Sequence, residues 1–219
     1  MINLEIPKKF KPLASQANQV ATEVFRPISR KYDEAEHSYP KELDMLASLI
    51  DGMNEGSDIG GAGAAGVRRE DSNGDGENRN GSNLSTVLGI IELCWGDVGL
   101  LLSMPRQGLG NSAIASVATE EQLAQYGGKW AAMAITEPEA GSDSAAIRTT
   151  AELDGDEYVL NGEKIFVTSG DRADLIVVWA SLDRSKGRAA IKSFIVERDN
   201  PGLKLDRLEH TLGIRASDT

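Results

Sequence analysis

The sequence predicts an α+β chain, with an N-terminal all-α helical domain over residues 1–130 and an antiparallel β-barrel or sheet over residues 131–219. Apolar residues in the first half recur at three- and four-residue intervals. In the second half, short apolar runs are parted by turn pairs. The strands also follow the helices instead of alternating with them, which argues against a doubly wound fold.

The first helix begins near Phe10, because Leu13, Ala17, Val20, Val24 and Ile28 share one helical face. "SYPKELDMLASLIDG" gives the second: Pro40 suits a first turn, Leu43, Leu46, Leu49 and Ile50 form the stripe, and Gly52 can stop it. "NLSTVLGIIELCWGDVGLLLSMP" gives a third, ending near Pro105, with Val87, Ile91, Cys94, Trp95, Val98 and Leu102 as its packing face. In "TEEQLAQYGG", Thr119 and Gln122 form a capping box and Gly127 and Gly128 end the helix. Beyond residue 130, "AELDGDEYVLNGEKIFVTSG" carries Asp-Gly and Asn-Gly pairs suited to hairpins, and "DLIVVWASL" and "KSFIVER" continue as strands.

A length of 219 residues, 40% of them hydrophobic, supports a sizeable core. The 23 basic and 34 acidic residues leave a net charge of -11, which opposes nucleic acid and anionic lipid as general partners. One cysteine, Cys94, suits a reducing compartment. His37 and His210 are too few and too far apart along the chain to suggest a metal cluster. No apolar run reaches spanning length and the opening residues lack a targeting pattern, so a cytoplasmic location is expected.

Residues 52–82 are rich in Gly, Asn, Asp and Ser and read as a flexible loop. Within it Gly61, Gly63 and Gly66 have G-x-G-x-x-G spacing. Neither a strand before nor a helix after them would supply a phosphate-binding helix terminus, so Gly-rich flexibility is the better reading. Asp71, Asn73, Asp75 and Gly76 open like an EF-hand loop, but Ser82 stands where a bidentate Glu is needed. Asn83-Leu84-Ser85 reads as a chance sequon.

The informative stretch is "AITEPEAGSD", Ala134 to Asp143, together with "KIFVTSG", Lys164 to Gly170. Thr136, Ser142 and Thr168 supply hydroxyls, Gly141 permits close backbone approach, and Ala134, Ile135 and Phe166 supply apolar surface. That mixture suits a flat heteroaromatic ligand with polar edges, and it equally suits a turn joining helices to a sheet.

"AITEPEAGSDSAA", "GDEYVLNGEKIFVTSGDRADLIVV" and "LGIRASDT" together resemble the middle domain of the acyl-CoA dehydrogenase family, in detail from Met133 to Thr219. The resemblance implies an FAD enzyme with a helical N-terminal domain, a flavin-binding β-barrel and a C-terminal helical bundle. It implies that Met133, Ala134, Ile135 and Thr136 line the flavin, with Thr136 on its pyrimidine edge. Phe166, Val167 and Thr168 then pack on the opposite side, with the Thr168 hydroxyl near the reactive nitrogen. Gly141 joins the cofactor loop, and Ser142 contacts both cofactor loop and the pantetheine of the substrate. Glu137 and Asp143 read as structural acids that fix the loop through hydrogen bonds from backbone or Arg donors. Phe166 stands where the family often has Trp, and Ser169 where Asn is common.

The implied reaction is α,β-desaturation of an acyl-CoA thioester, with electrons passing from FAD to an electron-transferring flavoprotein in a tetrameric assembly. The family's catalytic Glu lies in the C-terminal bundle, so the base is expected beyond Thr219 and no carboxylate here replaces it. A non-catalytic or heteromeric FAD- and CoA-binding subunit is the alternative, and an oxidase or monooxygenase of similar build is a third.

Overall fold

The first apolar stripe forms a helical rod from Lys11 to Ala35 in the computed structural model, which describes residues 5–54, 82–106 and 109–219. Helices α1 (Lys11–Val20) and α2 (Arg26–Ala35) are joined by a π-helical turn at Ala21–Phe25. Pro27 accounts for the interruption. Its ring would strike the carbonyl four residues back, at Glu23, and the wider turn relieves that clash. α3 spans Glu42–Asn54, so the helix continues through Gly52 where the sequence suggested a stop.

The expected third helix is two: α4 (Ser82–Gly96) and α5 (Val98–Leu102). Asp97 breaks the run because its carboxylate accepts from the Leu100 N–H at 2.8 Å and caps α5. The expected packing face is also turned outward, with Val87, Ile91, Trp95, Val98 and Leu102 all exposed. The inward line is Ser85, Gly89, Leu93, Gly96 and Leu100. Small residues win that face because a Cβ on Gly96 would lie 2.9 Å from the Ala21 Cβ and 3.0 Å from the Phe25 Cβ, so the backbones meet closely there.

The chain divides into two units. One comprises residues 1–107 and 210–217, the other residues 108–209 and 218–219. In the first, Phe25, Tyr32, Leu43, Leu93, Leu100, Met104 and Ala216 form the core. Residues 210–217 are fastened by the Ser103 hydroxyl donating to the Ala216 carbonyl at 2.9 Å and the His37 N–H donating to the Arg215 carbonyl at 2.9 Å.

The second unit begins with α6 (Leu109–Val117), which the sequence did not announce, and α7 (Glu120–Tyr126). The capping box at Thr119 and Gln122 is present, with reciprocal bonds of 3.2 and 3.0 Å. Five strands follow: β1 (Ala131–Ala134), β2 (Thr150–Asp154), β3 (Glu157–Asn161), β4 (Leu175–Ser181) and β5 (Ile191–Glu197). A cluster of Ile114, Ala131, Leu175 and Val177 packs α6 on the sheet.

The sheet corrects the expected antiparallel barrel: it is mixed and it is not closed. β4 pairs antiparallel with β5 over its full length. Its other edge therefore takes β1, parallel along Leu175–Val178, and then the start of β2, parallel at Thr150 and Ser181. β1 can run parallel to β4 because the long segment from Ile135 to Asp174 returns the chain to the same end, which a tight hairpin cannot do. The outer strands β3 and β5 do not pair, so the ring stays open.

Only one of the two turn pairs makes a hairpin. Gly155 (φ +67°) and Asp156 link β2 to β3 in a two-residue loop. Gly162 instead serves close approach, since a Cβ there would lie 2.3 Å from the Thr149 hydroxyl oxygen. The sequence features at Gly61, Gly63 and Gly66, and at Asp71, Asn73, Asp75 and Gly76, lie outside the described residues. Among the described residues no helix is long and apolar enough to cross a membrane.

Candidate functional site

The site grows from the end of β1. Ala131, Ala132 and Ala134 are buried, and their small side chains let α6 approach the strand. A Cβ on Gly110 would lie 2.3 Å from the Ala132 carbonyl oxygen. The next residue, Asn111, treats the free edge of β1 as a neighbouring strand would. Its side-chain amide donates to the Lys129 carbonyl at 2.7 Å, and its carbonyl accepts the Ala131 N–H at 2.9 Å.

Past Ala134 the chain enters a turn closed by reciprocal backbone bonds between Glu137 and Ala140, at 3.0 and 3.1 Å. The 164–168 segment comes to the same place. The Ile165 N–H donates to the Thr136 carbonyl at 2.9 Å, and the Lys164 ammonium donates to the Ile135 carbonyl at 3.0 Å and to Glu137 Oε1 at 2.7 Å. Glu137 also accepts from the Arg148 N–H at 2.5 Å, and from the Thr149 N–H and hydroxyl at 3.0 and 2.5 Å.

Both members of this ion pair are buried, with side chains 9% and 5% exposed. Burial pushes the Glu137 carboxyl up, but the Lys164 ammonium, the Thr149 hydroxyl and two backbone N–H groups outweigh it and hold it at about 2. Burial pushes the Lys164 ammonium below its usual value, against the pull of the Glu137 carboxylate. Glu137 is thus a loop-fixing acid, held by the expected backbone donors and, in addition, by a lysine. Asp143 is different: it precedes a 3-10 turn at Ser144–Ala146 without capping it through its side chain.

A second anchor holds the far end of the 164–170 segment. Asp218 is 1% exposed. Its carboxylate accepts the N–H groups of Asp171 and Arg172 at 2.9 and 3.1 Å and lies 3.3 Å from the Arg172 guanidinium, while its carbonyl accepts the Ser169 N–H at 2.9 Å. Burial raises the Asp218 carboxyl, opposed by Arg172 and the backbone donors. In the sequence Asp218 stands within "LGIRASDT" without a visible role, and Gly110, Asn111 and the pairing of Lys164 do not announce theirs. The only local signals were a Gly-Asn pair opening α6 and a Lys beside the apolar run Ile165–Val167.

Of the candidate binding residues, Ala134 is buried, and Met133, Ile135, Thr136, Val167 and Thr168 are half-buried. These lie on the two segments that the Ile165 to Thr136 bond joins. Gly141 and Ser142 are exposed and lie beyond the Glu137 to Ala140 turn, which an Arg148 to Glu139 ion pair ties back. Phe166 is the outlier: the residue is 60% exposed and its backbone is left-handed at φ 56°. Bulky residues adopt that conformation at a cost of about 1–3 kcal/mol, and such strain gathers at ligand-holding turns. The donor set therefore fits a flat ring: an exposed aromatic face, apolar flanks and two threonine hydroxyls, on turns locked by two buried carboxylates.

Residues 132–219 match the family model for the acyl-CoA dehydrogenase middle domain. A short-chain-specific acyl-CoA dehydrogenase of Clostridium acetobutylicum is 36% identical over 203 residues, 89% of this chain and 49% of the relative. An NADH-dependent acryloyl-CoA reductase of Anaerotignum propionicum is 30% identical over 234 residues, covering 100% of this chain and 53% of the relative. The structure of butyryl-CoA dehydrogenase from Megasphaera elsdenii superposes with a TM-score of 0.76 at 28% identity, over 99% of this chain and 55% of that one. The chain spans about half the length of the curated relatives it matches. On the middle-domain match and these relatives, the chain matches the acyl-CoA dehydrogenase family, whose middle domain residues 132–219 carry.

Proposed function

We propose that the chain forms the flavin-holding part of an FAD-dependent oxidoreductase that removes the α-proton and β-hydride of an acyl-CoA thioester. The observation that carries this reading is the pair of turns joined by the Ile165 to Thr136 bond, with Phe166 exposed and strained on the segment that also carries Thr168. FAD supplies the hydride acceptor when bound. Met133, Ala134, Ile135 and Thr136 would hold one side of the ring, and Phe166, Val167 and Thr168 the other, with Gly141 and Ser142 on the outer turn. With FAD bound, Phe166 would cover the ring with apolar surface that excludes water, and the Thr168 hydroxyl would donate where negative charge builds. Ser142 would contact the pantetheine of the substrate.

Neither buried carboxylate suits the role of base. Glu137 is held at about 2 and fully engaged, which leaves too weak a base for a carbon acid, and Asp218 is tied to Arg172 and two backbone donors. On this reading the α-proton acceptor is the Glu that the resemblance places in the family's C-terminal bundle. An electron-transferring flavoprotein as electron acceptor and a tetrameric assembly are part of the same reading.

In FAD-loaded protein carrying this chain, anaerobic addition of a short-chain acyl-CoA is expected to bleach the visible flavin band. Thr168→Val should keep FAD bound and slow bleaching about 10²-fold, the size of a lost charge-stabilising donor. Failure of the protein to take up FAD would remove the proposal. The match of the whole of this chain to about half of an acryloyl-CoA reductase favours a second reading, the same chemistry run toward saturation. Reoxidation of reduced flavin by an enoyl-CoA, without bleaching by the saturated thioester, would select it.

A further inference from the structure

We propose that Glu36, His37 and His210 form a binding site for a divalent transition cation of the zinc class. The two histidines, isolated along the chain, are brought together by the fold, with ring centroids 5.6 Å apart. Glu36 serves both: its Oε2 lies 2.9 Å from His210 Nδ1, and its Oε1 lies 3.9 Å from His37 Nε2. One ligand atom from each residue falls within 4.8 Å of the other two.

Zinc bonds of about 2.0–2.2 Å set tetrahedral ligands roughly 3.4 Å apart, so a set spread over 4.8 Å must contract by up to about 1.4 Å. His210 can supply that movement, since its side chain is 81% exposed, whereas Glu36 is held at 17% exposure. His37 is oriented in advance: its Nδ1 faces the Ser217 carbonyl at 3.2 Å, and with the proton there Nε2 presents its lone pair toward Glu36. Glu36 and His37 are consecutive non-glycine residues with left-handed backbone, φ 31° and 60°, a costly geometry that turns both side chains to the cluster.

Arg215 shares Glu36, with its Nη2 3.2 Å from Oε2. It can keep Oε2 while the cation takes Oε1, but its charge holds the expected affinity to the micromolar range. Two imidazoles with one carboxylate favour zinc, nickel or copper over magnesium or calcium, which prefer all-oxygen shells. Three protein ligands leave a fourth position for water.

The test is clean because the chain has only two histidines. Zinc chloride titrated into the full chain should bind one to one and shift both imidazole signals in the NMR spectrum. It should also raise Tm by about 5 °C at a hundredfold excess over Kd. Magnesium should do neither. His210→Ala, at an exposed position that leaves folding intact, should weaken zinc binding at least about tenfold. Cys94→Ser should leave it unchanged. Zinc that shifts neither imidazole, or that binds His210→Ala as tightly as the parent, overturns the site.

Discussion

Lys164→Met is expected to destabilise the β-rich unit by about 3–5 kcal/mol, because it strands the Glu137 carboxylate in a buried position without its cation. The methionine fills the space of the lysine stem, so lost volume contributes little. Glu137→Gln should cost a comparable amount, since it leaves the Lys164 ammonium beside the Ile135 carbonyl without a counter-charge. The double variant should cost clearly less than the sum, because neither charge is then orphaned. A coupling energy of about 2 kcal/mol or more in that cycle, read from hydrogen exchange of β4 amides, is the expected result. Strict additivity would show that the two groups act separately.

The same pair sets an acid limit. Glu137 is held at about 2 in the folded protein against a usual 4.5. A depressed carboxyl contributes stability that is fully present above the unfolded value and is lost as pH falls through the folded one. The window is therefore pH 4.5 down to about 2, and the linkage is on the order of 3 kcal/mol. Lys164 has the opposite effect at neutral pH: its lowered value marks a burial cost that lifts only as pH rises through it. Lys164→Met should flatten the acid dependence as well as lower stability, and urea midpoints at several pH values below 5 would show it. An unchanged acid slope in that variant would mean that Glu137 is held by the neutral donors alone.

What was legible in the sequence was what local chemistry specifies. The stripe from Leu13 to Ile28 and the capping box at Thr119 are written at helical spacing: the capping box forms, and Ala17, Val20, Val24 and Ile28 pack partly buried beside the deeper line of Ala14, Ala21 and Phe25. The motif chemistry of 134–143 and 164–170 was legible too, although the bonds that join the segments were not. The pairing of Lys164 with Glu137 and of Asp218 with Arg172 depends on contacts 27 and 46 residues apart. Strand β1 was hidden because "AAMA" has poor strand propensity and forms only through its pairing with β4 and its support from Asn111. The α4 face was misread for a related reason. Hydrophobicity marked Val87, Ile91 and Trp95 as inward, but backbone proximity at Gly96 determined which side packs. The strand runs also carried no sign of parallel pairing, because direction is set by where the long segment before β4 returns.

Gly110→Ala should reverse the usual effect of adding a methyl to a helix. In an open helical position that substitution stabilises by roughly 0.5–1 kcal/mol, and Gly89→Ala, where an added Cβ meets nothing within 4 Å, is expected to behave so. At Gly110 the same Cβ would lie 2.3 Å from the Ala132 carbonyl oxygen and 2.5 Å from that of Ala131. Those atoms cannot yield by rotating a side chain, because β1 is backbone held in register against β4. Relief must come from lifting α6, which also withdraws Asn111 from the Lys129 carbonyl and the Ala131 N–H and leaves buried polar groups unsatisfied. We expect a loss of about 3 kcal/mol or more, together with weakened FAD binding, because β1 leads directly into the turn that carries Thr136. Hydrogen exchange of the β1 and β4 amides, with FAD affinity measured alongside, checks both effects. A Gly110→Ala protein as protected as the parent would mean that α6 packs on β1 loosely enough to shift, and the tight helix-to-strand contact would then not be what positions the site.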